Sequence, residues 1–350
     1  MSPYRPVDPR VSFPALEEEV LARWRERDVP LDFLQNKEPK VRADDLMPVE
    51  WPADPALEWC PPGHGDLYTA LLTSGMLEKL LDAGYEHAFM ANSDNLGAVL
   101  EPRVLAWLDR EEVPFLMEVC RRTEADRKGG HLARRRDGGL VLRETAQTPE
   151  EDLRSLADLG RWAYANTNNL WLSLRALSRV LEERSGVLGL PLIVNRKTVD
   201  PADASSPEVV QLETAMGAAV GVFEGARALL VPRTRFAPVK TTNDLLALRS
   251  DAYELTEDAR VRVAPAREDP DPPFVDLDAG HYRLVRDFDA RFPAGPPSLV
   301  DCDRLVVRGD VRFGARVVLR GPVEIEHEGP GQLMVEDGAV VEGAPARHGP

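Results

Sequence analysis

The sequence predicts an α/β fold: a largely parallel sheet covered by helices on both faces, followed by a small solenoid of short strands. Two observations carry this. From Asp66 to Phe223, segments with helical apolar spacing alternate with short apolar runs, the pattern of a sheet buried on both sides. From 304 to 341 the chain changes to short β-rich runs (LVV, VRF, VVL, VEIE, LMVE, AVVE) with Gly309, Gly314, Gly321, Gly331, Gly338 and Gly343 between or beside them. That beat reads as a few solenoid coils, or as a small meander or sandwich.

In chain order, 13–28 (FPALEEEVLARWRERD) predicts an amphipathic helix with Leu16, Val20, Leu21 and Trp24 on one face. Leu31 to Pro62 is rich in proline and predicts extended loops with short strands. Residues 66–82 predict one helix, with Leu67, Leu71, Leu77, Leu80 and Leu81 inward and Gly84 as its C-cap. Strands are predicted at 85–91, 114–119 and 140–144, and a helix at 98–109. Leu170, Leu174, Leu177 and Leu181 predict a helix over 168–183. Val210, Met216, Ala219, Val220 and Phe223 predict another over 207–225. Residues 263–275, rich in Pro and Asp, predict a linker.

Lys plus Arg number 43 and Asp plus Glu 59, a net charge of −16. General nucleic-acid binding needs a basic footprint and is disfavoured; a local basic site for a phosphorylated small molecule remains open. Cys60, Cys120 and Cys302 are far apart and form no CxxC pair, so neither a zinc knuckle nor a disulfide framework is supported. A reducing, cytoplasmic setting is expected. No apolar run approaches the roughly 18 residues of a membrane helix, and residues 1–10 lack the apolar core of a signal peptide.

The sequence shows no nucleophilic triad and no histidine metal cluster. Five polar clusters fall at expected strand ends or in loops, where open α/β sheets bind ligands. In Pro61-Pro62-Gly63-His64-Gly65-Asp66, two glycines and an N-cap aspartate present backbone N–H groups suited to a phosphate, or form a plain glycine turn. In Asn92-Ser93-Asp94-Asn95, the Asp94 carboxylate can hold Mg²⁺ beside waters and phosphate, or cap the following helix. Lys128 beside Gly129 and Gly130 can approach an anion, or mark a solvated hairpin tip. Asn166-Thr167-Asn168-Asn169, placed at a helix start, offers amides to sugar hydroxyls, or an N-cap. Val231 to Thr242 (VPRTRFAPVKTT) sets Arg233, Arg235 and Lys240 in one loop, which binds phosphates or pairs with surface carboxylates.

Taken in this order, FLQNKEPK (33–40), PPGHGDLYTALLTSGMLEKLLDAG (61–84), FMANSDNLGA (89–98), PFLMEVCRRTEADRKGGHL (114–132), NTNNLW (166–171), VVQLETAMGAAVGVF (209–223) and VPRTRFAPVKTTNDLLALRSDAY (231–253) resemble the eukaryotic-like UTP–glucose-1-phosphate uridylyltransferases. GPPSLVDCDRLVVRGDVRFG (295–314) resembles that family's C-terminal β-helix. The resemblance covers about residues 31–343. It implies a mixed, mostly parallel, Rossmann-like nucleotidyltransferase (GT-A-like) sheet over 31–262, a linker over 263–296 and a small left-handed β-helix over 297–345. It also implies that UTP and glucose 1-phosphate give UDP-glucose and pyrophosphate by in-line attack, driven by positioning and charge neutralisation. Gln35 would meet the uracil edge, the Gly63 backbone the nucleotide, and His64 the sugar phosphate. Asp94 would bind Mg²⁺, with Asn92 on the sugar and Ser93 beside it. Lys128, Gly129, Gly130 and Glu144 would line the hexose pocket. Asn166 and Asn168 would bind sugar hydroxyls or phosphate, and Lys240 would be the catalytic, charge-neutralising residue. The implied setting is cytoplasmic, without nucleic acid or membrane, as a homo-oligomer or with a complementing N-terminal half.

The sequence departs from the family in three places. The family's LNGGLGTSMG loop and GPK lysine have no match here, and the first strands of its catalytic domain are expected to be missing. Residues 1–29 resemble instead the extreme N-terminus of isoleucyl-tRNA synthetase, without its signature motifs, so 1–30 are set apart as a helical extension foreign to the family. Ala165 stands where the family has Phe, which is expected to loosen one wall of the sugar pocket. Losing one preorganised oxyanion donor costs about 100- to 1000-fold in rate, so weak activity of the chain alone is expected. Two further readings are a non-catalytic sugar-nucleotide-binding or assembly subunit and a truncated product without function.

Overall fold

A computed structural model describes residues 33–343, apart from 124, 125, 127, 128, 258 and 259 and the side chain of Ala146. The helix expected at 13–28 and the candidate Lys128 lie outside the described residues. Within them the chain forms two compact units, one from 33–91 and 100–231, the other from 92–99 and 232–343. No helix among the described residues is long and apolar enough to cross a membrane.

The first unit runs α1 (Leu67–Thr73), α2 (Met76–Asp82), β1 (His87–Met90), α3 (Pro102–Arg110), β2 (Phe115–Arg121), β3 (His131–Arg134), β4 (Leu140–Arg143), β5 (Tyr164–Ser173), α4 (Leu174–Glu183), β6 (Leu192–Thr198), β7 (Glu208–Thr214) and β8 (Arg227–Leu230). Its main sheet has the order β8-β2-β5-β3-β4, with β1 also on β5. β8 and β2 are parallel; the other pairings are antiparallel. The sheet is therefore mixed, as expected, but the expected parallel majority is corrected. For one pairing the cause is local: β3 and β4 are joined by a tight turn in which Arg135 N donates to Gly139 O and Gly138 sits at φ 92°, and a hairpin is antiparallel by construction.

Two expected helices become a strand followed by a different element. Over 168–183, the first part belongs to β5 and only Leu174–Glu183 is helical, with the Ser173 side chain accepting from Ala176 N. Leu170, Trp171 and Leu172 are all buried, and a run buried on both faces carries no period that tells strand from helix. Over 207–225, β7 is followed by a 3₁₀ turn, Met216–Gly221, so the apparent helical spacing spanned two elements. The helix expected over 66–82 breaks at Gly75, which is left-handed at φ 72°. The helix expected from 98 starts at Pro102, capped by the Glu101 side chain.

The core of this unit packs Phe115, Met117 and Val119 of β2 and Leu170 and Leu172 of β5 against Tyr68, Leu77, Leu177 and Leu181. Between Met117 and Val119, β2 advances two residues while β5 advances four, from Leu170 to Asn166. Glu118 lies opposite this bulge and is fully buried. Its carboxylate accepts from Trp171 Nε1 (2.9 Å) and Asn169 Nδ2 (3.0 Å), and its carbonyl accepts from Thr167 Oγ1 (2.8 Å).

The second unit contains α5 (Thr242–Arg249), β9 (Phe274–Leu277), α6 (Val285–Arg291), β10 (Cys302–Arg308), β11 (Val311–Phe313), β12 (Val318–Glu326), β13 (Leu333–Val335) and β14 (Val340–Glu342). Strands β9-β10-β12-β14 and β11-β13 all pair in parallel. The parallel stacking agrees with the solenoid texture of the sequence. Gly309, at φ 83°, faces the His327 carbonyl so closely that a Cβ would overlap it. The segment expected as a linker over 263–296 is corrected. It supplies β9 and α6, and Val275, Leu277, Tyr282, Phe288 and Phe292 enter the core with Leu305, Val307 and Phe313. Its Pro and Asp content misled because the large apolar residues that enter the core begin only at Val275. Even Arg267, in its polar part, is buried and donates to the carbonyls of Leu299, Val300 and Cys302.

Removing the Glu118 carboxylate strands two buried donors, each at about 1–3 kcal/mol. Glu118→Ala is expected to lose at least ~2 kcal/mol in urea unfolding, and Glu118→Gln, which keeps one acceptor, less. An unchanged midpoint for Glu118→Ala would show that the carboxylate does not hold the two strands.

Candidate functional site

In the first unit the Gly63–Asp66 loop lies directly on the end of β7. Thr214 N donates to Pro62 O at 2.8 Å. A Cβ at Gly63 would sit 2.6 Å from the Thr214 carbonyl oxygen, and one at Gly65 would overlap Thr214 Oγ1. Gly63 also holds φ 78°, so glycine is required twice over. His64 Nδ1 accepts from Met216 N at 2.9 Å. That bond uses the Nδ1 lone pair, so the neutral ring carries its proton on Nε2. His64 itself is exposed.

Gln35 Nε2 donates to Gly63 O at 2.7 Å, which places Gln35 on this loop. Asp66, read as a helix cap, makes no cap bond to α1. Instead its buried carboxylate accepts from Asn36 N (2.8 Å) and Asn36 Nδ2 (2.9 Å), and so anchors the chain next to Gln35.

Asn166 and Asn168 lie in the β5 bulge and not at a helix start. Asn168 is left-handed at φ 55°, a conformation asparagine tolerates. Asn168 N donates to Asn166 Oδ1 (2.9 Å) and Asn166 Nδ2 to Asn168 Oδ1 (2.7 Å). Gly217 packs on both amides: a Cβ there would lie 2.6 Å from Asn166 Nδ2 and 3.3 Å from Asn168 Oδ1. Gly217 follows Met216, whose N–H holds His64. The Met216–Gly217 turn thus joins the histidine loop to the amide bulge. Asn166 N donates to Gly130 O at 3.4 Å, and a Cβ at Gly130 would overlap the Glu144 carboxylate. Gly129 closes the preceding turn, with its N–H on Asp126 O (2.9 Å). Gln35, Gly63, His64, Gly129, Gly130, Glu144, Asn166 and Asn168 are therefore linked in one chain of contacts.

Sequence reasoning missed two residues here. Gly217 was hidden inside an expected helix. His131 is fully buried, stacks on Trp162 with ring centroids 4.7 Å apart, and has no hydrogen-bond partner for either ring nitrogen. Burial, then the guanidinium charges of Arg122 and Arg143, push its pKa down to about 4. Ala165 pairs in register with Cys120 and His131, and side chains alternate along a strand. It borders His131 and not Asn166, so the expectation that it loosens the sugar pocket is corrected.

In the second unit, Val239 N donates to Asp94 O at 2.9 Å and Asn95 bridges Pro238. Asp94 and Lys240 are thereby neighbours across two strand-like segments. The Asn95 side chain fixes this loop, accepting from Gly97 N and Ala237 N (3.1 and 2.9 Å) and donating to Arg235 O (3.1 Å). Asp94 caps no helix; its Oδ1 is buried without a hydrogen-bond partner. An anionic oxygen withdrawn from water and from protein donors fits a hard cation such as Mg²⁺. Asn92 and Ser93 precede it in the same turn, with Asn95 N on Asn92 O (3.1 Å). Lys240 is exposed; its N–H donates to Asp244 Oδ2 (2.9 Å), beside the capping box of α5. Arg235 of the basic loop is buried and donates to Val99 O (3.0 Å). Another cation-type group, Glu86, His87 and Asp109 of the first unit, brings ligand atoms within 4.8 Å of one another. It lies open to water at Glu86 and Asp109, and Glu86 already faces Arg175 (3.5 Å).

The first unit is thus an α/β unit built on a mixed sheet, and the second is built on parallel strands. A sequence model described as UTP–glucose-1-phosphate uridylyltransferase matches residues 17–320, beginning inside the segment set apart as foreign. The chain is 38% identical over 313 residues to a probable UTP–glucose-1-phosphate uridylyltransferase of Schizosaccharomyces pombe, covering 89% of this chain and 60% of the relative. It is 40% identical over 310 residues to the UTP–glucose-1-phosphate uridylyltransferase of Solanum tuberosum, covering 88% and 63%. Its structure is similar to a UDP-glucose pyrophosphorylase mutant of Leishmania major in complex with UDP-glucose, with a TM-score of 0.88, 47% identity, and 95% of this chain and 73% of that one covered. A UDP-glucose phosphorylase of Trypanosoma brucei matches with a TM-score of 0.83, 46% identity, and 94% and 72% covered. The chain belongs to the UTP–glucose-1-phosphate uridylyltransferase family. It spans 60–63% of the length of these two curated relatives.

The depressed pKa of His131 has a sign. The fold holds the ring neutral, so its contribution to stability is complete above the ordinary value of 6.5 and is lost as pH falls from 6.5 toward about 4. Urea unfolding at pH 7 and pH 5 is expected to show a larger loss for the wild type than for His131→Phe. Equal losses would show that the ring titrates in the fold as it does in the unfolded chain, so that burial does not lower its pKa.

Proposed function

We propose that this chain binds a uridine sugar nucleotide and serves the transfer of the uridylyl group of UTP to glucose 1-phosphate, releasing pyrophosphate. The observation that carries the reading is the Met216–Gly217 turn, which binds His64 on one side and covers Asn166 and Asn168 on the other. Neutral amides, a glycine backbone and an Nε2–H donor suit a ligand rich in hydroxyl and phosphate oxygens. Family membership and the UDP-glucose bound in the Leishmania relative support the same ligand class.

In this reading Gln35 meets the base and Gly63 the nucleotide backbone. His64 donates to a phosphate oxygen. Gly129, Gly130, Glu144, Asn166 and Asn168 take the hexose, and Lys128 is assigned to it by motif alone. Asn92, Ser93, Asp94 and Lys240 are assigned residue by residue from the family motifs. Asp94 would hold Mg²⁺, which when bound supplies charge neutralisation to phosphate oxygens. Lys240 adds positive charge where charge builds in the transition state. A left-handed β-helix over 297–345 is supported by the parallel pairing of its strands, with Val311 on Leu333 and Val318 on Val340 at the same offset. The three buried free cysteines support a cytoplasmic setting.

Calorimetric titration with UDP-glucose and Mg²⁺ tests the reading. Asn166→Ala is expected to weaken binding about tenfold, the worth of one or two hydrogen bonds. Lys240→Ala is expected to lower UDP-glucose formation by about 100- to 1000-fold, with a smaller effect on affinity. A folded wild-type chain that gives no binding at two temperatures would overturn the reading. Binding without turnover would leave a sugar-nucleotide-binding subunit.

A further inference from the structure

We propose that His131 is the positioning residue of the sugar side of this pocket, acting through the strands on which it sits. The proposal rests on reading Gly130, Glu144 and Asn166 as that pocket. His131 pairs in register with Arg143 on one side and Ala165 on the other. The residues next in sequence to these three are Gly130, Glu144 and Asn166. One position thus ties together the three strand segments that carry the pocket.

The ring lies away from the pocket. The Cβ direction of Gly130 points at the Glu144 carboxylate, and its neighbour His131 points the other way. There the imidazole stacks on Trp162 at 4.7 Å with an interplanar angle of 24°. The Trp162 ring also lies 5.0 Å from the Arg143 guanidinium and 4.9 Å from that of Arg161. Arg122 closes the far side, donating to the carbonyls of Leu156, Trp162 and Asp126. Arg143 is held in turn by Asp152 at 3.6 Å. The stack is anchored to the segment 153–163 and to both strands flanking His131, so a shift of the ring displaces Gly130, Glu144 and Asn166 together.

Neither ring nitrogen has a hydrogen-bond partner, so the ring acts by its flat shape. A planar apolar ring should replace it and a branched chain of similar bulk should not. The test measures the affinity of folded protein for UDP-glucose by calorimetry, with thermal unfolding as the control for folding. His131→Leu is expected to bind UDP-glucose five- to tenfold more weakly than wild type, and His131→Phe to restore wild-type affinity. A role in stability alone would lower the melting temperature and leave affinity unchanged. Wild-type affinity in folded His131→Leu would overturn the proposal, as would equal weakening in His131→Phe. Should His131→Leu fail to fold, Trp162→Leu removes the stack from its other ring, and wild-type affinity there would overturn the proposal equally. A wild-type chain that does not bind UDP-glucose would remove the pocket reading first and this proposal with it. Wild-type binding with indifferent variants would remove this proposal alone.

Discussion

The site of the first unit depends on one buried carboxylate. Glu118 sits in the middle strand of a hydrophobic layer, where a charge without partners would be prohibitive. Its neighbours satisfy it: the Trp171 indole, the Asn169 amide and, at the backbone, the Thr167 hydroxyl. These three donors are alternate residues of β5, so meeting them holds one face of that strand against β2. The residues that alternate with the first two of them, Asn166 and Asn168, are left to the other face. The two extra residues of the bulge turn Asn168 into the left-handed region and bring the two amides onto each other. A buried polar network of this kind specifies one register, because each slip would strand a donor.

The second constraint is steric. Backbones approach so closely at Gly63, Gly65, Gly130 and Gly217 that a single methyl group would meet an oxygen or an amide nitrogen. At Gly65, Gly130 and Gly217 the contact puts a polar side chain of one segment over the main chain of another, and at Gly63 two main chains meet. The result is a linked set of segments near residues 35, 64, 130, 144, 166 and 217. Met216 and Gly217 are its hinge point, one holding a histidine nitrogen and the other leaving room for two amides. Charge is used sparingly in this unit's site. Besides His64 it uses the carboxylates of Glu144 and Asp66, the latter spent on Asn36.

The second unit has charged groups of its own. Asp94 is bonded through its carbonyl to Val239, the residue before Lys240, and Asn95 braces that arrangement from within. Asp94 keeps one oxygen buried and unpartnered, a costly state for a carboxylate unless a cation takes it up. The parallel strands that follow are closed by glycines such as Gly309, and Arg267 ties their first turn to a polar segment that looks in sequence like a tether.

The family was legible in the sequence, and so were the polar clusters that the fold links together, because their chemistry is local. A glycine–histidine–glycine turn, an aspartate after an apolar strand and a run of amides keep their identities whatever surrounds them. What they are mounted on was decided by tertiary contacts. The 170–172 run is buried on both sides, and that burial erases the period which separates strand from helix; the β7 segment was hidden because its apolar spacing runs on into the following turn. The antiparallel pairing of β5 with β1, β2 and β3 depends on which strands meet, which no single segment encodes. Gly217 and His131 entered the site only through the partners that packing gave them, and Ala165 left it because strand alternation turned it to the other face.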